Sequence, residues 1–308
     1  MTNFWKYGVC FGLLCAVFAA AAAKVEFPAK LPKGAERNAE GNVETAGTRL
    51  VSSPFPVQER RRYRLKVQAR IKSGNALETV PAMEQMMKQG VGQTLKTALV
   101  RYEYRSENKV LSTMNHANAL RIFSTQFREY LLEFYTLDGT DAVRVLILPN
   151  DPKNTVEVKS MEIVPVDMER EKYLNVNPDL KFGPYNLCGH GGGTPATFDE
   201  DDAGPYLDVG TGWRVGDWIP VNPGDRLKFS WSGEPAPGRA MRIKAWYYQS
   251  ARAKSPVTAQ SKLPMRITKT APAGSETLVV PEKANWMRLI IQGGLLRYIR
   301  VEKINDAK

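Results

Sequence analysis

The stretch that decides the fold is Tyr63-Arg64-Leu65-Lys66-Val67-Gln68-Ala69-Arg70-Ile71, in which apolar and polar residues alternate strictly. Successive side chains of a β-strand point to opposite faces of its sheet, so this period of two predicts a strand with one buried face and one solvated face. Sheets with one wet face are typically antiparallel. The stretch therefore predicts an antiparallel β-protein.

The same alternation returns in short runs that are separated by Gly, Pro, Asn and Asp. These runs lie at 98–105, 130–135, 143–148, 227–232 and 243–248. Asp138-Gly139 stands between two of them and has the composition of a hairpin turn. Many short strands with almost no helical pattern predict an all-β sandwich or barrel.

Two halves of the chain share a series of landmarks. Arg64-Leu65-Lys66-Val67 is matched by Arg226-Leu227-Lys228-Phe229, and Val143-Arg144-Val145-Leu146-Ile147 by Met287-Arg288-Leu289-Ile290-Ile291. Each half then closes with one further strand, at 156–164 and at 296–304. Landmarks in the same order predict two tandem copies of one module.

These landmarks divide the chain into segments. We expect a signal peptide at 1–23, a leading loop or tail that packs little at 24–47, and a first β-sandwich module at 48–168. A linker with a second leading loop follows at 169–204, and a second module at 205–308. Pro81 opens a run with apolar residues at helical spacing, which predicts a short helical insertion near 80–90 in module 1.

The N-terminus has the features of a secretory signal. Lys6 precedes an apolar run that ends in the small residues Ala19–Ala23, which predicts cleavage after Ala23. The alternative is a retained anchor, because residues 4–23 are nearly long enough to cross a bilayer. We expect a secreted, periplasmic or cell-surface protein that has no membrane span once the signal is removed.

The composition excludes several classes of site. The chain has 308 residues and a net charge of +11, but only two histidines and three cysteines, too few for a His/Cys metal centre or a disulfide scaffold. The run His190-Gly191-Gly192-Gly193 resembles an esterase oxyanion loop, yet the chain has no Gly-x-Ser-x-Gly nucleophile motif. We expect no catalytic centre at Cys188 or His190.

An acidic run, Asp199-Glu200-Asp201-Asp202, resembles the first half of a calcium loop. Ala203 stands where such a loop needs an oxygen ligand, and Gly210 where it needs a glutamate. A solvated acidic loop is therefore expected.

The landmarks together carry a family resemblance. An edge strand at 49–53, a Pro-Val segment before each Arg-Leu-Lys strand and the closing strands resemble galactose-binding-like jelly rolls. They are most similar to carbohydrate-binding modules of the family 4/9/22 type, over 48–166 and 205–305. The resemblance implies two antiparallel jelly-roll β-sandwiches that bind carbohydrate without catalysis.

The resemblance also implies a structural calcium held by an acid of the closing strand. Glu162 occupies that position in copy one, whereas copy two reads Ile299-Arg300-Val301-Glu302, with Arg300 where the acid should stand. We expect no cofactor.

The tryptophans indicate where a sugar would bind. All five that follow the signal peptide lie in the second half: Trp213, Trp218, Trp231, Trp246 and Trp286. Trp231 shares the parity of Leu227 and Phe229 and is expected in the core.

Trp246 and Tyr248 take the opposite parity from the apolar row of their strand, beside Arg242 and Lys244. Aromatic rings offer an apolar face on which a sugar ring can stack, so these four residues are the predicted ligand site. The alternative is that the other module covers both rings, which would make them interface residues.

Module 1 carries a row of cations on polar parity: Arg64, Lys66, Arg70, Arg101 and Arg105. If their two strands are neighbours, the row forms a basic groove suited to carboxylate or sulfate. Otherwise it is a solvated face. The expected partner is a polysaccharide or other glycan, with an anionic one suiting the net charge, and not nucleic acid.

The sequence thus predicts a secreted, non-catalytic carbohydrate-binding protein. The alternatives are a structural or adhesive envelope protein and, third, a carbohydrate-active enzyme.

Overall fold

The computed structural model describes residues 23–76, 97–114, 119–181, 196–238, 240–257 and 265–304. Within these ranges it has 22 strands and no helix, which confirms the all-β class. The expected helix near 80–90 and all but the last residue of the expected signal peptide lie outside the described residues.

Twelve strands build module 1: β1 Ala23–Lys24, β2 Ala35–Arg37, β3 Val43–Ala46, β4 Leu50–Val51, β5 Phe55–Pro56, β6 Arg62–Ser73, β7 Ala98–Ser106, β8 Lys109–Thr113, β9 Leu120–Ile122, β10 Arg128–Tyr135, β11 Ala142–Leu148 and β12 Thr155–Pro165. Sheet I has the order β10-β6-β12-β3-β2, with β1 also pairing with β12. Sheet II has the order β4-β11-β7-β8, with β5 on β11 and β9 on β7. All pairings are antiparallel.

Ten strands build module 2: β13 Thr197–Asp201, β14 Gly204–Asp208, β15 Trp213–Val215, β16 Ile219–Pro220, β17 Arg226–Glu234, β18 Met241–Tyr248, β19 Met265–Ile267, β20 Ala273–Val279, β21 Trp286–Gln292 and β22 Leu295–Lys303. Sheet III has the order β13-β14-β22-β17-β20, and sheet IV the order β15-β21-β18-β19, with β16 also on β21.

The shared strands of the two modules have the same order, as the repeated landmarks predicted, whereas β1 and β8 have no counterpart among the described strands of module 2. The central strand β6 lies between β10 and β12, and its counterpart β17 lies between β20 and β22. The register also agrees, since Val100 pairs with Ile147 in sheet II and Ile243 with Ile291 in sheet IV. Both closing strands carry an irregularity in their pairing to the central strand.

Each sandwich encloses its own core. The apolar residues of β6, from Leu65 to Ile71, are fully buried in module 1, and Leu227, Phe229 and Trp231 of β17 are buried in module 2. The predicted burial of Trp231 is confirmed. The polar residues that alternate with them lie on the outer faces of the sheets.

Residues 24–47 correct one expectation, because they do not form a loose leader. They contribute strands to the edge of sheet I, and Val25, Phe27 and Val43 are buried in the module 1 core. Their strands are only two to four residues long, which is too short for a pattern of alternation to show.

Asp138-Gly139 corrects a second expectation. β10 belongs to sheet I and β11 to sheet II, so the segment between them crosses from one sheet to the other and is not a hairpin turn. Gly139 still adopts the left-handed backbone conformation that its turn needs, with φ of 71°. The turn contacts module 2.

This contact is part of an ordered interface between the modules. Asp138 Oδ2 accepts a hydrogen bond of 2.6 Å from the indole of Trp286, and the Arg60 guanidinium lies 5.3 Å from the centre of the same ring. Arg60 also donates to the backbone oxygen of Val221 at 2.8 Å.

The segment between the modules joins the interface. Asn175 exchanges two hydrogen bonds of 2.8 Å with the β22 backbone, at Ile299 and Val301, and Tyr135 of module 1 donates to Leu174 O at 2.7 Å. These polar contacts join the described parts of the two modules.

Candidate functional site

The outer face of sheet IV carries a row of four side chains that the strand register aligns. Trp213 of β15 pairs with Gln292 of β21, Gln292 with Arg242 of β18, and Arg242 with Arg266 of β19. Residues that pair directly across strands project on the same side of a sheet. Strands lie roughly 4.8 Å apart, so the row spans roughly 14 Å.

Two more residues extend this surface along β18. Lys244 and Trp246 follow Arg242 at intervals of two and therefore share its face, opposite the core residues Ile243 and Ala245. From Arg242 to Trp246 is roughly 13 Å of strand. We call the surface formed by Trp213, Arg242, Lys244, Trp246, Arg266 and Gln292 the sheet IV face.

Among the residues that the structure describes, no acid pairs with the cations of the sheet IV face. Arg242 and Arg266 are exposed and Lys244 is half-buried, and within the described ranges none of the three is in an ion pair. Both tryptophans are half-buried. Aromatic rings, guanidinium groups and an amide thus share one surface.

An aromatic cluster borders the sheet IV face at the end of β18 that carries Trp246. Trp218 contacts Tyr248 edge-on at a centroid distance of 4.8 Å and Trp286 at 6.3 Å. Arg288, which pairs with Trp246, lies 4.8 Å from the centre of Trp218 and donates to Gly216 O at 2.9 Å. Burial lowers the pKa of Arg288 below its ordinary value, although Asp217 and Tyr248 oppose the shift.

The structure divides the four predicted ligand residues. Arg242, Lys244 and Trp246 lie on the sheet IV face, but Tyr248 is only 6% exposed and belongs to a cluster that continues the module 1 core. The parity of Tyr248 is as expected; Trp218 and the neighbouring module cover its ring. Trp246 also packs against that cluster, so the interface alternative holds for Tyr248 and partly for Trp246.

Three residues of the sheet IV face escaped the sequence reasoning: Trp213, Arg266 and Gln292. Strands β15 and β19 have only three residues each, too few to show a period of two. Gln292 directly follows the predicted strand at 287–291, and this position could have placed it at the strand's end. Trp213 packs with neither core cluster, which sets it apart from the other four tryptophans.

The basic row of module 1 is divided between two sheets. Arg64, Lys66 and Arg70 lie on β6 in sheet I, whereas Arg101 and Arg105 lie on β7 in sheet II. The condition for a basic groove, that the two strands are neighbours, is therefore not met. Periodicity predicted which face each residue takes but not which strands pair.

The cations of β6 are also neutralised. Glu133, which is 1% exposed, accepts from Arg62 Nε at 2.8 Å and from Arg64 Nε at 2.6 Å. Arg70 and Lys66 pair with Glu157 and Glu162. Burial is the largest single influence on the pKa of Glu157 and raises it. Hydrogen bonds from Asn42, Arg70 and Asn38 together outweigh burial, so the pKa of Glu157 lies below its ordinary value.

The cations of β7 are occupied too. The guanidinium of Arg101 donates to Met114 O at 3.1 Å from Nε, and Arg105 lies 3.5 Å from Glu103. Arg105 is buried, and Arg101 is half-buried with two of its donors on the Met114 carbonyl.

The remaining motifs carry no site in the described part of the chain. Asp199–Asp201 lies in a β13–β14 hairpin, where Asp201 forms an ion pair of 2.7 Å with Arg297. Glu162, the one candidate calcium ligand, lies 3.6 Å from Lys66. No group of three or more His, Cys, Asp or Glu placed for a metal ion occurs among the described residues. Cys188 and His190 lie outside them.

Comparisons with known proteins give structural similarities alone. No protein-family model and no curated protein sequence matches the chain. In the described residues, no helix is long and apolar enough to span a bilayer.

Similar solved structures include tandem carbohydrate-binding modules. The CBM22-1–CBM22-2 tandem domain of Paenibacillus barcinonensis Xyn10C is 8% identical, with a TM-score of 0.30 over 92% of this chain and 97% of that one. The tandem CBM51 modules of Sp3GH98 from Streptococcus pneumoniae are 10% identical, with a TM-score of 0.24 over 91% and 92%. A family 16 carbohydrate-binding module is 13% identical over 45% of this chain and 86% of its own, with a TM-score of 0.29.

Proposed function

We propose that this protein is a secreted, non-catalytic carbohydrate-binding protein and that it binds a polysaccharide on the sheet IV face. The observation that carries the proposal is the row Trp213, Gln292, Arg242 and Arg266, with Trp246 further along β18. These side chains can stack on the apolar face of a sugar and donate hydrogen bonds to its oxygens.

The state of the cations supports the proposal. Pairing with an acid normally neutralises a charge within the fold, as in sheet I, but Arg242, Lys244 and Arg266 share a face with two tryptophans and have no acidic partner among the described residues. Arginine can bind a carboxylate or sulfate through two parallel hydrogen bonds. An acidic polysaccharide therefore fits this face better than a neutral one.

The test is a pull-down on a panel of insoluble neutral and acidic polysaccharides, with soluble oligosaccharide as competitor. The Trp213→Ala variant should lose retention on the bound polysaccharide. Tyr298→Ala is the matched control, because Tyr298 is a half-buried aromatic of sheet III in the same module. Equal retention of wild type and Trp213→Ala, or no retention of wild type on any polysaccharide, would reject the site or the function.

The same experiment addresses the structural or adhesive alternative. An adhesive protein that recognises protein surfaces would not bind the polysaccharides specifically, so competing sugar would not change any residual retention. Competition by soluble oligosaccharide is therefore the result that carbohydrate binding requires.

A further inference from the structure

Two arginines of the sheet IV face are direct cross-strand partners. Arg242 of β18 lies opposite Arg266 of β19, and this is the only place in the described strand pairings where two cations oppose each other. Directly opposed side chains have Cβ atoms about 4.5–5.5 Å apart, and like charges in this position destabilise a sheet. The pair therefore acts against the stability of the free protein, and an anion bound between the two arginines would remove the repulsion.

Sheet I shows how the same fold neutralises a cation. There Arg70 lies opposite Glu157 and forms an ion pair with it. In sheet IV neither cross-strand neighbour of Arg242 is an acid, because Arg266 lies on one side and Gln292 on the other. An ionic partner for Arg242 and Arg266 must therefore come from outside their own row.

The two arginines are accessible to such a partner. Both are exposed, and in the part of the chain that the structure describes neither forms a hydrogen bond or an ion pair. The next row on the same face is Val215, Ile290 and Lys244, of which the first two are buried. Charges attract more strongly beside apolar surface than in open water, so this row favours binding of an anion at the arginine pair.

We propose that Arg242 and Arg266 together bind a tetrahedral oxyanion ester, a sulfate or phosphate group carried by the polysaccharide. One guanidinium is enough to bind a planar carboxylate through two parallel hydrogen bonds. Sulfate and phosphate esters present three terminal oxygens in different directions, so two guanidinium groups can donate to one ester at the same time. This inference rests on the proposed function, because it names the charged group of the polysaccharide that the sheet IV face binds.

The test is affinity electrophoresis in gels that contain dextran sulfate, dextran phosphate or carboxymethyl dextran at equal charge density. Dextran sulfate or dextran phosphate should retard the wild-type protein more strongly than carboxymethyl dextran does, and the stronger of the two identifies the ester. Arg242→Gln and Arg266→Gln should each weaken binding of that ester about tenfold, the scale of a lost hydrogen bond between charged groups. Binding of carboxymethyl dextran should change less.

Two further variants separate the arginine pair from net charge and from folding. Arg128→Gln removes the same charge from an exposed arginine of β10 that lies opposite Ala69, so it should bind the ester as the wild type does. Arg266→Glu places an acid opposite Arg242 and should abolish the preference for the ester. Because it replaces a repulsive pair by an attractive one, it should not lower the melting temperature.

Three results would overturn the inference. These are no retardation of wild type by either ester, equal retardation by carboxymethyl dextran, and equal losses in Arg128→Gln and Arg242→Gln. The proposed function fails separately, when Trp213→Ala keeps full retention on polysaccharide in the pull-down. Loss of that retention in Trp213→Ala, together with no preference for an ester, would keep the proposed function and reject the oxyanion site.

Discussion

The two modules have one strand order but treat their surface cations in opposite ways. In module 1, the cations of β6 are paired with acids on neighbouring strands, and those of β7 with Glu103 or backbone oxygens. In module 2, three cations of the sheet IV face share that face with two tryptophans and have no acidic partner among the described residues. The first arrangement serves folding, and the second leaves groups available to a ligand.

The strand register makes the difference specific. By their pairing with β11 and β21, Leu99 of β7 occupies the position of Arg242 on β18, and Glu103 that of Trp246. Leu99 is fully buried and Glu103 pairs with Arg105. Corresponding positions of the two sheets therefore carry buried or paired residues in module 1 and exposed, unpaired ones in module 2.

The largest effect on stability should come from the outer face of sheet I in module 1, where the cations are paired with acids. Glu133→Gln removes the charge that neutralises buried Arg62, and leaving one member of a buried ion pair alone costs about 3–5 kcal/mol. Urea unfolding should show the midpoint fall accordingly. Glu162→Gln is the control, because its pair with Lys66 is 36% exposed on both sides and exposed pairs contribute about 0–1 kcal/mol. Equal effects of the two variants would show that Glu133 does not stabilise this face.

A smaller loss of stability is expected at the interface of the modules. Trp286→Phe removes the N–H that bonds Asp138, and because the Asp138 side chain is 37% exposed and water can replace the donor, the loss is that of a net hydrogen bond, about 0.5–1.5 kcal/mol. Trp231→Phe is a matched control, since Trp231 is also buried but its Nε1 has no hydrogen-bond partner in the described structure. Calorimetry should show the larger fall in melting temperature for Trp286→Phe. The reverse order would mean that the Asp138 contact does not hold the modules together.

Substitutions of Trp213 and Trp246 test the sheet IV face. Trp213→Ala should weaken polysaccharide binding by about 1–3 kcal/mol, the scale of a lost aromatic contact, with little loss of stability because Trp213 packs with neither core. Trp246→Ala should reduce both binding and stability, because Trp246 also packs against the interface cluster. Affinity gels and thermal unfolding measure the two effects. A Trp213→Ala variant that unfolds easily would place that ring in the fold and not in the site.

Periodicity predicted the strands and the two copies because alternation fixes the face of each residue. It did not predict which strands are neighbours. The alternation at 130–135 and at 143–148 fits a hairpin and a crossing between sheets equally well, and Asp138-Gly139 is compatible with both. Strand pairing depends on how distant segments pack around each core, and a local pattern of alternation carries no information on that.

The candidate site was predictable in part for the same reason. Arg242 and Lys244 lie on the expected face because parity governs a long strand such as β18. The burial of Tyr248 depends on Trp218 and on a second module, neither of which its own strand reveals. Trp213 and Arg266 lie on strands too short to show a period, so only cross-strand register brings them to the face.

The smallest effect separates the two kinds of cation. Arg242→Gln and Lys66→Gln each remove one surface charge, and both should leave the free energy of unfolding within about 1 kcal/mol of wild type. Only Arg242→Gln should weaken binding to an acidic polysaccharide, because Lys66 already faces Glu162 whereas Arg242 faces no acid in the described ranges. Salt screens exposed charges, so the difference between Arg242→Gln and wild type should shrink as ionic strength rises, while the effect of Trp213→Ala persists. Affinity electrophoresis at two salt concentrations measures both trends. If Lys66→Gln weakens binding as much as Arg242→Gln, the polysaccharide responds to the net charge of the protein, and the distinction between a paired and an open face has no role in recognition.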